Sequence, residues 1–217
     1  MAEASHRASA PGLPRGLYAI TSAGTARLAP AVAAAIRGGA AVIQYRDKGS
    51  SRARRLREAI EIAKLCRGTG VVFIVNDDVE LARAAGANGV HLGRDDLPLA
   101  DARARLGRGW LIGVSCYDSL ERGLECQADG ADYLAFGSFF ASPTKPAAAR
   151  ANVDLLREAR SRLSLPIVAI GGITPVNGAM LVAAGADCIA AVSGVFGQAD
   201  VEAAARRYVH LFGARPP

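Results

Sequence analysis

The 217-residue chain lacks the features that mark membrane-spanning, secreted and zinc-binding proteins. No apolar run is long enough to cross a bilayer. The first fifteen residues, MAEASHRASAPGLPR, have no apolar centre of the kind found in secretory signals. The cysteines Cys66, Cys116, Cys126 and Cys188 form no CxxC pair, which argues against a zinc site or a disulfide framework. These absences predict a cytoplasmic protein with reduced thiols and no membrane anchor.

Aromatic residues are also scarce, at 6% of the chain, which gives little support for a base-stacking surface. The formal net charge of +6 would suit a nucleic-acid binder. Much of the excess lies in SRARRLREAIEIAKLC, residues 51–66, where Ala53, Leu56, Ile60 and Ala63 predict the apolar stripe of a helix. The arginines fall mostly off that stripe. A solvated helix face therefore explains them better than a nucleic-acid groove, and we expect no nucleic-acid partner.

Short apolar segments alternate with Ala-, Leu- and Arg-rich helical segments along the whole chain. The predicted strands begin at Leu17, Val42, Val71, Gly89, Leu111, Tyr133, Ile167 and Ile189. Their spacing of roughly 20 to 30 residues fits one strand, one helix and two loops. The pattern predicts an α/β fold, a single (β/α)8 TIM barrel over residues 16–212, with residues 1–15 as a flexible tail. An open doubly wound sheet is the alternative, but no GxGxxG loop follows the first strand.

In such a barrel, functional side chains follow the C-terminal ends of the strands. Nearly every predicted strand has polar or glycine residues there. In chain order they are Gln44, Arg46 and Lys48; Asn76, Asp77 and Asp78; His91, Arg94, Asp95 and Asp96; Ser115; Ser142, Thr144 and Lys145; Gly171 and Gly172; and Val192, Ser193 and Gly194. The stretch 138–152 after the sixth strand is unusually long, which is typical of a lid or ligand-binding loop.

An acidic group lies at the ends of the third and fourth predicted strands. Asp77 and Asp96 would supply two carboxylates from adjacent strands, which suits Mg²⁺ completed by water and substrate phosphate. For one aspartate of each doublet, Asp78 and either Asp95 or Asp96, capping of the following helix is the simpler interpretation. We predict a magnesium site on Asp77 and Asp96.

A basic group lies beside it. Arg46, Lys48 and Lys145, with the hydroxyls of Ser142 and Thr144, would cradle a pyrophosphate next to the metal. Two simpler explanations remain open here: a solvated loop lysine for Lys48, and an ion pair with a neighbouring aspartate for Arg46.

Small residues end the last two predicted strands, in IGGI and VSG. Backbone N–H groups in such loops bind a single phosphate in many barrels, although glycines also permit tight turns. His91 lies mid-strand and is interpreted as a hydrogen-bonded wall residue. Cys116 has no base nearby in sequence, so it is not expected to be a nucleophile. These groups together predict an enzyme in which two phosphorylated substrates meet.

The motifs QYRDK, VNDD, GVHLGRDD, GVSCYD, GADYLAFGSFFASPTKP, AIGGITPVN and AAVSGVF, spread from about Leu17 to Phe196, resemble those of the thiamine phosphate synthase family. The resemblance implies a Mg²⁺-dependent transferase on a (β/α)8 barrel. It would join 4-amino-2-methyl-5-(diphosphooxymethyl)pyrimidine to thiazole phosphate, or its carboxylated form, and release pyrophosphate.

The resemblance also assigns residues by position. It places Gln44, Tyr45, Arg46, Asp47, Lys48, Asn76, Ser115 and Lys145 on the pyrimidine diphosphate. It places Ser142, Pro143, Thr144, Gly172, Val192 and Ser193 on the thiazole phosphate. Mg²⁺ would be held by Asp77 and Asp96, and the catalytic cations would be Lys145, Arg46 and Lys48.

The chain departs from the usual family pattern in a few places. Arg94 stands where glutamine is usual, and would either add a cation near the metal or point to solvent. Ser142 replaces threonine, Pro143 replaces a small polar residue, and Tyr45 replaces an aliphatic residue. A thiazole tautomerase and a non-catalytic thiamine phosphate-binding protein are the alternatives, but both fit the metal and pyrophosphate residues less well. The sequence leaves a monomer and a homodimer equally open.

Overall fold

Parallel strands follow one another around a closed barrel, in the order in which they occur along the chain. The structure, a computed structural model, describes residues 12–141 and 151–213. Its strands are β1 Gly16–Ile20, β2 Val42–Tyr45, β3 Val72–Asn76, β4 Gly89–Leu92, β5 Leu111–Tyr117, β6 Tyr133–Phe136, β7 Ile167–Ile170 and β8 Cys188–Ala191. The predicted TIM barrel is confirmed, and every predicted strand is present within a few residues of its expected place.

Helices connect the strands and cover the barrel. They are α1 Leu28–Arg37, α2 Arg52–Cys66, α3 Val79–Ala85, α4 Leu99–Leu106, α5 Leu120–Ala128, α6 Val153–Arg162, α7 Ala179–Ala183, α8 Ser193–Phe196 and α9 Val201–Val209, followed by a 3-10 turn, His210–Phe212. In the part of the chain that the structure describes, no helix is both long and apolar enough to cross a membrane. All four cysteines are free and buried.

Apolar residues form two layers, because successive strand residues point to opposite sides of the sheet. Tyr18 and Ile74 belong to the interior of the barrel. Leu17, Ile43 and Val75 pack outward against the helices. Both faces of each strand are therefore buried, as expected for parallel strands covered by helices.

Side chains at the helix starts set several helix boundaries. Asp78 caps α3, accepting a hydrogen bond from the Leu81 N–H at 2.9 Å, as predicted. The corresponding prediction for the second aspartate doublet is wrong, because α4 follows Pro98 and has no side-chain cap. In α2 the apolar stripe also differs from the prediction. Its buried residues are Ala59, Ile62, Ala63 and Cys66, and Ala53 is exposed, so mainly the second half of this helix packs on the barrel.

A pattern of Gly-Ala followed by a polar residue occurs three times, at residues 86–88, 130–132 and 185–187, just before or at the start of a strand. In each repeat the polar side chain accepts a hydrogen bond from a backbone N–H near the start of the preceding strand. The pairs are Asn88 with Phe73 at 2.8 Å, Asp132 with Ile112 at 2.7 Å, and Asp187 with Ile167 at 2.8 Å. Arg103 and Arg160 form ion pairs with the two aspartates. These contacts join neighbouring strands at the end opposite to the predicted site.

Candidate active site

A cavity of about 730 Å³ is lined by residues at the C-terminal ends of the strands. The structure brings together there a subset of the predicted substrate residues. These are Gln44, Arg46, Asn76, Ser115, Gly172, Val192 and Ser193. Tyr117 also lines the cavity, whereas its neighbour Cys116 is buried in the layer between strands and helices.

The alternation along β2 decides which predicted residues face the cavity. Gln44 points into the barrel, where it is 2% exposed and its Nε2 donates to the Tyr18 hydroxyl at 2.8 Å. Arg46, two residues further, lines the same cavity. Its backbone N–H donates to the hydroxyl of Thr21 at 3.0 Å, which fixes the strand end.

Tyr45 lies on the other face of β2, which corrects its predicted contact with substrate. Its ring packs in the outer layer and its hydroxyl donates to Glu58 Oε2 at 2.8 Å. Burial and the Glu58 carboxylate raise the pKa of Tyr45 well above its ordinary value, so it stays a neutral donor. Asp47 lies in the turn after β2, where its Oδ1 accepts hydrogen bonds from the N–H groups of Gly49 and Ser50. It is not among the residues that line the cavity.

Lys48, Asp77 and Asp96 form a second group, and none of the three is among the residues that line the cavity, although Asp77 directly follows the lining residue Asn76. Lys48 Nζ lies 2.8 Å from Asp77 Oδ2. Burial raises the pKa of Asp77, and its contact with Asp96 raises it further, against the opposing effect of Lys48. Asp96 Oδ2 also accepts the N–H of Gly93 at 2.7 Å. Two carboxylates that follow adjacent strands thus lie close together, and their mutual repulsion disfavours the charged form of Asp77. A bound cation would offset this repulsion.

The backbone at Asp77 is also unusual. Its φ of 63° lies in the left-handed region, and its N–H donates to the His91 carbonyl at 2.8 Å. Non-glycine residues in this region are held there by their surroundings and concentrate at functional sites. The turn aims the carboxylate of Asp77 towards Asp96 while Asp78 caps α3. The two neighbouring aspartates therefore have different roles.

This carboxylate pair fits a magnesium ion. Within the described residues there is no group of three or more His, Cys, Asp or Glu side chains that could hold a metal. Mg²⁺ needs only one or two carboxylates, because it retains waters and binds substrate phosphates. Asp77 and Asp96 would thus be sufficient protein ligands.

The opposite side of the cavity is formed by backbone rather than by charged side chains. Gly172 has a φ of 59°, and a Cβ added there would lie 2.3 Å from the Ala141 carbonyl oxygen. Asn177 supports this loop: its Oδ1 accepts from the Thr174 N–H at 2.7 Å and its Nδ2 donates to the Gly172 carbonyl at 3.2 Å. Ser193 begins α8 close by. The close-packed backbone is suited to an anionic group that needs N–H donors.

Arg94, one of the residues that depart from the family pattern, lies over the ring of Tyr117. Its guanidinium carbon is 4.7 Å from the ring centroid, and its backbone N–H donates to the Tyr117 hydroxyl at 3.1 Å. Tyr117 lines the cavity, whereas Arg94 is exposed to solvent and is not among the lining residues.

Several cavity residues were missed in the sequence. Tyr18 and Tyr133 lie inside apolar strands and resemble core residues, yet both line the cavity. Thr174 and Gln198 come from loops without an obvious motif. His91 is hydrogen-bonded to Ser115 and Tyr133, in agreement with its interpretation as a wall residue. The sequence signal that could have identified the two tyrosines is their spacing, because each lies two residues from another position of its strand that faces the barrel interior.

The remaining predicted contacts, Ser142, Pro143, Thr144 and Lys145, lie outside the described residues. They follow Ala141, which lines the cavity. Their roles stay predictions.

Comparisons with known proteins point to one family. A family profile described as thiamine monophosphate synthase matches residues 17–195. The thiamine-phosphate synthase of Thiobacillus denitrificans is 53% identical over 205 residues, covering 94% of this chain and 97% of that protein. That of Acidithiobacillus ferrooxidans is 52% identical over 209 residues, covering 92% and 95%.

Solved structures agree. Thiamine phosphate pyrophosphorylase from Pyrococcus furiosus has a TM-score of 0.83 at 34% identity, covering 90% of this chain and 94% of that one. A 3-hexulose-6-phosphate synthase has a TM-score of 0.64 at 17% identity, covering 88% and 98%, which shows the shared fold alone. The chain therefore belongs to the thiamine monophosphate synthase family and is a transferase enzyme of that family.

Proposed function

We propose that the protein condenses 4-amino-2-methyl-5-(diphosphooxymethyl)pyrimidine with thiazole phosphate in a Mg²⁺-dependent reaction that yields thiamine phosphate and pyrophosphate. With the carboxylated form of thiazole phosphate, CO₂ would be released as well. One observation carries the proposal. Arg46 and Asn76, with the Lys48–Asp77–Asp96 group beside them, follow β2 to β4, whereas the Gly172 loop follows β7. In a barrel closed in sequence order, β3 and β7 lie on opposite sides.

The first side is suited to a diphosphate. Arg46, Lys48 and Lys145 would bind the departing pyrophosphate, because guanidinium and ammonium groups stabilise phosphate oxygens as charge develops on them. Asp77 and Asp96 would hold Mg²⁺, which when bound would neutralise further negative charge on the leaving group. Gln44, Asn76 and Ser115 would contact the pyrimidine part of the same substrate.

The second side is suited to a monophosphate. Backbone groups of Gly172, Val192 and Ser193 would hold the thiazole phosphate, together with Ser142, Pro143 and Thr144. Anchoring that phosphate would place the thiazole nitrogen near the pyrimidine methylene carbon, so binding energy would replace the entropy cost of a bimolecular encounter.

The chemical step needs no general base on this proposal. The bond between the methylene carbon and the diphosphate oxygen breaks first, and the electron-rich aminopyrimidine ring stabilises the positive charge left on carbon. The thiazole nitrogen then supplies the electron pair for the new C–N bond. His91 is already engaged with Ser115 and Tyr133, which is consistent with a positioning role rather than proton transfer to substrate.

Three further points belong to the proposal. The catalytic domain would span residues 16–212, preceded by a tail of residues 1–15. The protein would act in the cytoplasm on small molecules, without a nucleic-acid or membrane partner. A homodimer is compatible with this mechanism but is not required by it.

The test is pyrophosphate release from purified protein supplied with each substrate alone, both together, and both with excess EDTA. We expect release only with both substrates and Mg²⁺. Binding of thiamine phosphate without any turnover would instead indicate a sensor protein. Isomerisation of the thiazole phosphate without pyrophosphate release would indicate a tautomerase.

A further inference from the structure

Tyr208 lies in the last turn of α9, yet its hydroxyl reaches the loop that follows β7. The side chain is buried, and its hydroxyl donates to the Ile173 carbonyl at 2.8 Å. Burial raises the pKa of Tyr208, so the hydroxyl keeps its proton and remains a donor. Ile173 lines the cavity, whereas Tyr208 is not among the lining residues. Tyr208 therefore supports the proposed monophosphate side of the cavity from behind.

This hydrogen bond fixes the direction of a peptide group. In a trans peptide unit the C=O and N–H groups point in opposite directions. Holding the Ile173 carbonyl towards α9 turns the Thr174 N–H the other way, where it donates to Asn177 Oδ1 at 2.7 Å. The same Asn177 amide donates through Nδ2 to the Gly172 carbonyl at 3.2 Å. Tyr208 and Asn177 thus hold two successive peptide groups of the loop.

The held carbonyls leave backbone donors for a ligand. Fixing the Gly172 carbonyl also fixes the Ile173 N–H, because both belong to one peptide unit. The Gly171 carbonyl accepts from the Phe140 N–H at 3.0 Å, which fixes the Gly172 N–H in the same way. Neither of these two N–H groups donates to another residue that the structure describes, and both residues line the cavity. Such successive N–H groups are suited to phosphate oxygens.

Tyr208 also contacts the loop that follows β8. A Cβ added to Gly194 would lie 2.0 Å from the Tyr208 hydroxyl oxygen and 3.1 Å from its ring carbon Cζ. The hydroxyl therefore occupies the space that a side chain at position 194 would need. Gly194 and its neighbour Ser193 both line the cavity. One buried hydroxyl thus touches both loops of the proposed monophosphate side.

We infer that Tyr208 is a positioning residue for the monophosphate, because its hydroxyl holds the loops after β7 and β8 in the arrangement in which they bind phosphate together. The inference rests on the proposed function for the identity of the ligand, thiazole phosphate. Tyr208 acts through the backbone of Ile173 and Gly194 and does not touch the ligand. The proposed diphosphate side follows β2 to β4, across the barrel from β7, so its substrate should be unaffected.

The experiment measures kcat and both KM values by pyrophosphate release in wild type and Tyr208→Phe, which removes the hydroxyl and keeps the ring. We expect the KM for thiazole phosphate to rise by about tenfold, since the loop loses the hydrogen bond that orients it. The KM for the pyrimidine diphosphate and kcat should stay within about twofold of wild type, because lost ground-state binding raises only the KM concerned. Calorimetry with thiazole phosphate alone should show the same fall in affinity.

A second variant tests the contact with Gly194. Its backbone is not in the left-handed region, so alanine is strained there only by its contacts. Gly194→Ala in wild type would press a Cβ against the Tyr208 hydroxyl and raise the KM for thiazole phosphate by about tenfold or more. In Tyr208→Phe that oxygen is gone, and the nearest atom would be Cζ at 3.1 Å. Adding Gly194→Ala to Tyr208→Phe should therefore raise this KM by less than about threefold further.

Thr69→Val is the matched control, because it also removes a hydroxyl that donates to a backbone carbonyl, that of Cys66 at 2.7 Å. Thr69 precedes β3 and lies at the other end of the barrel. This variant should lower the melting temperature, as Tyr208→Phe should, yet keep the KM values of wild type. Circular dichroism checks that every variant is folded.

The outcomes separate this inference from the proposed function. An active wild type with an unchanged KM for thiazole phosphate in Tyr208→Phe would overturn the inference alone. So would equal increases in both KM values, or a full additional loss when Gly194→Ala is added. Wild type that binds thiazole phosphate without releasing pyrophosphate would overturn the proposed function, while weaker binding by Tyr208→Phe in calorimetry would still support the inference. Wild type that binds no thiazole phosphate would overturn both.

Discussion

Lys48 and Asp77 form an ion pair across the ends of β2 and β3, with Nζ 2.8 Å from Oδ2. The lysine side chain is 60% exposed, so the pair is weak and easily exchanged. Asp77 remains disfavoured as a carboxylate in spite of this partner, because burial and Asp96 act against its charge. The arrangement suits a site in which a metal and a diphosphate replace the lysine contact during binding.

Asp77→Asn should stabilise the metal-free protein and inactivate it. The raised pKa of Asp77 means that its carboxyl contributes stability below the ordinary value of 3.8 and loses it as pH rises through the raised value. A neutral amide avoids that loss at pH 7, and asparagine also suits the left-handed backbone at φ 63°. We expect a higher melting temperature in EDTA and a kcat lowered by about 100-fold or more with Mg²⁺.

The neighbouring aspartate provides the control. Asp78→Ala should cost about 1 kcal/mol of stability through loss of the α3 cap, and leave kcat close to that of wild type. If Asp77→Asn melted below wild type at pH 7 in EDTA, the account of its carboxylate would be wrong.

Lys145→Ala should lower kcat by about 100-fold or more, because a cation on the leaving pyrophosphate acts mainly in the transition state. Steady-state pyrophosphate release with both substrates saturating measures it. Lys64→Ala, on the exposed side of α2, is the matched control and should have wild-type kinetics. Near-normal turnover in Lys145→Ala would remove this residue from the catalytic group.

Gly172→Ala should weaken thiazole phosphate binding selectively. The new Cβ would lie 2.3 Å from the Ala141 carbonyl oxygen and would sit on a backbone with φ of 59°, so the loop must shift. We expect the KM for thiazole phosphate to rise by about tenfold or more, equivalent to about 1.4 kcal/mol, with a smaller change for the pyrimidine diphosphate.

Gly24→Ala is the comparison for that variant, since a Cβ at Gly24 would meet no atom within 4 Å. Its two KM values should equal those of wild type. Equal increases in both KM values for Gly172→Ala would contradict a phosphate-specific role for this loop.

Asp132→Ala should destabilise the barrel without affecting chemistry. It removes the acceptor for the Ile112 N–H at 2.7 Å and leaves Arg103 without its carboxylate. Urea unfolding should show a loss of about 2–3 kcal/mol, because hydrogen bonds to charged groups are lost in a mostly buried place. Asp132→Asn, which keeps an oxygen acceptor, should lose less. A large fall in kcat for the folded protein would contradict the separation of the two barrel ends.

Much of this organisation was predictable from the sequence. The strand rhythm determined the barrel, because parallel strands with covering helices need a recurring unit of one strand, one helix and two loops. The strand-end rule then located Arg46, Asn76, Ser115 and Gly172, since all parallel strands end at the same mouth. The capping role of Asp78 was also predictable, because a helix cap is an interaction between residues close together in the sequence.

Other features depended on contacts between residues far apart in the chain. Tyr45 was assigned to the site by the family resemblance, which gives positions along the chain but not the direction of each side chain. The structure places it on the outer face of β2, against the helices. The Tyr18–Tyr133 hydrogen bond joins residues 115 positions apart and became visible only when β1 and β6 faced each other across the interior. The sequence by itself determined which chemical groups reach the mouth of the barrel. Only the tertiary structure decided which of them touch, because a hydrogen bond or ion pair forms only when its two atoms are positioned to within a few tenths of an ångström.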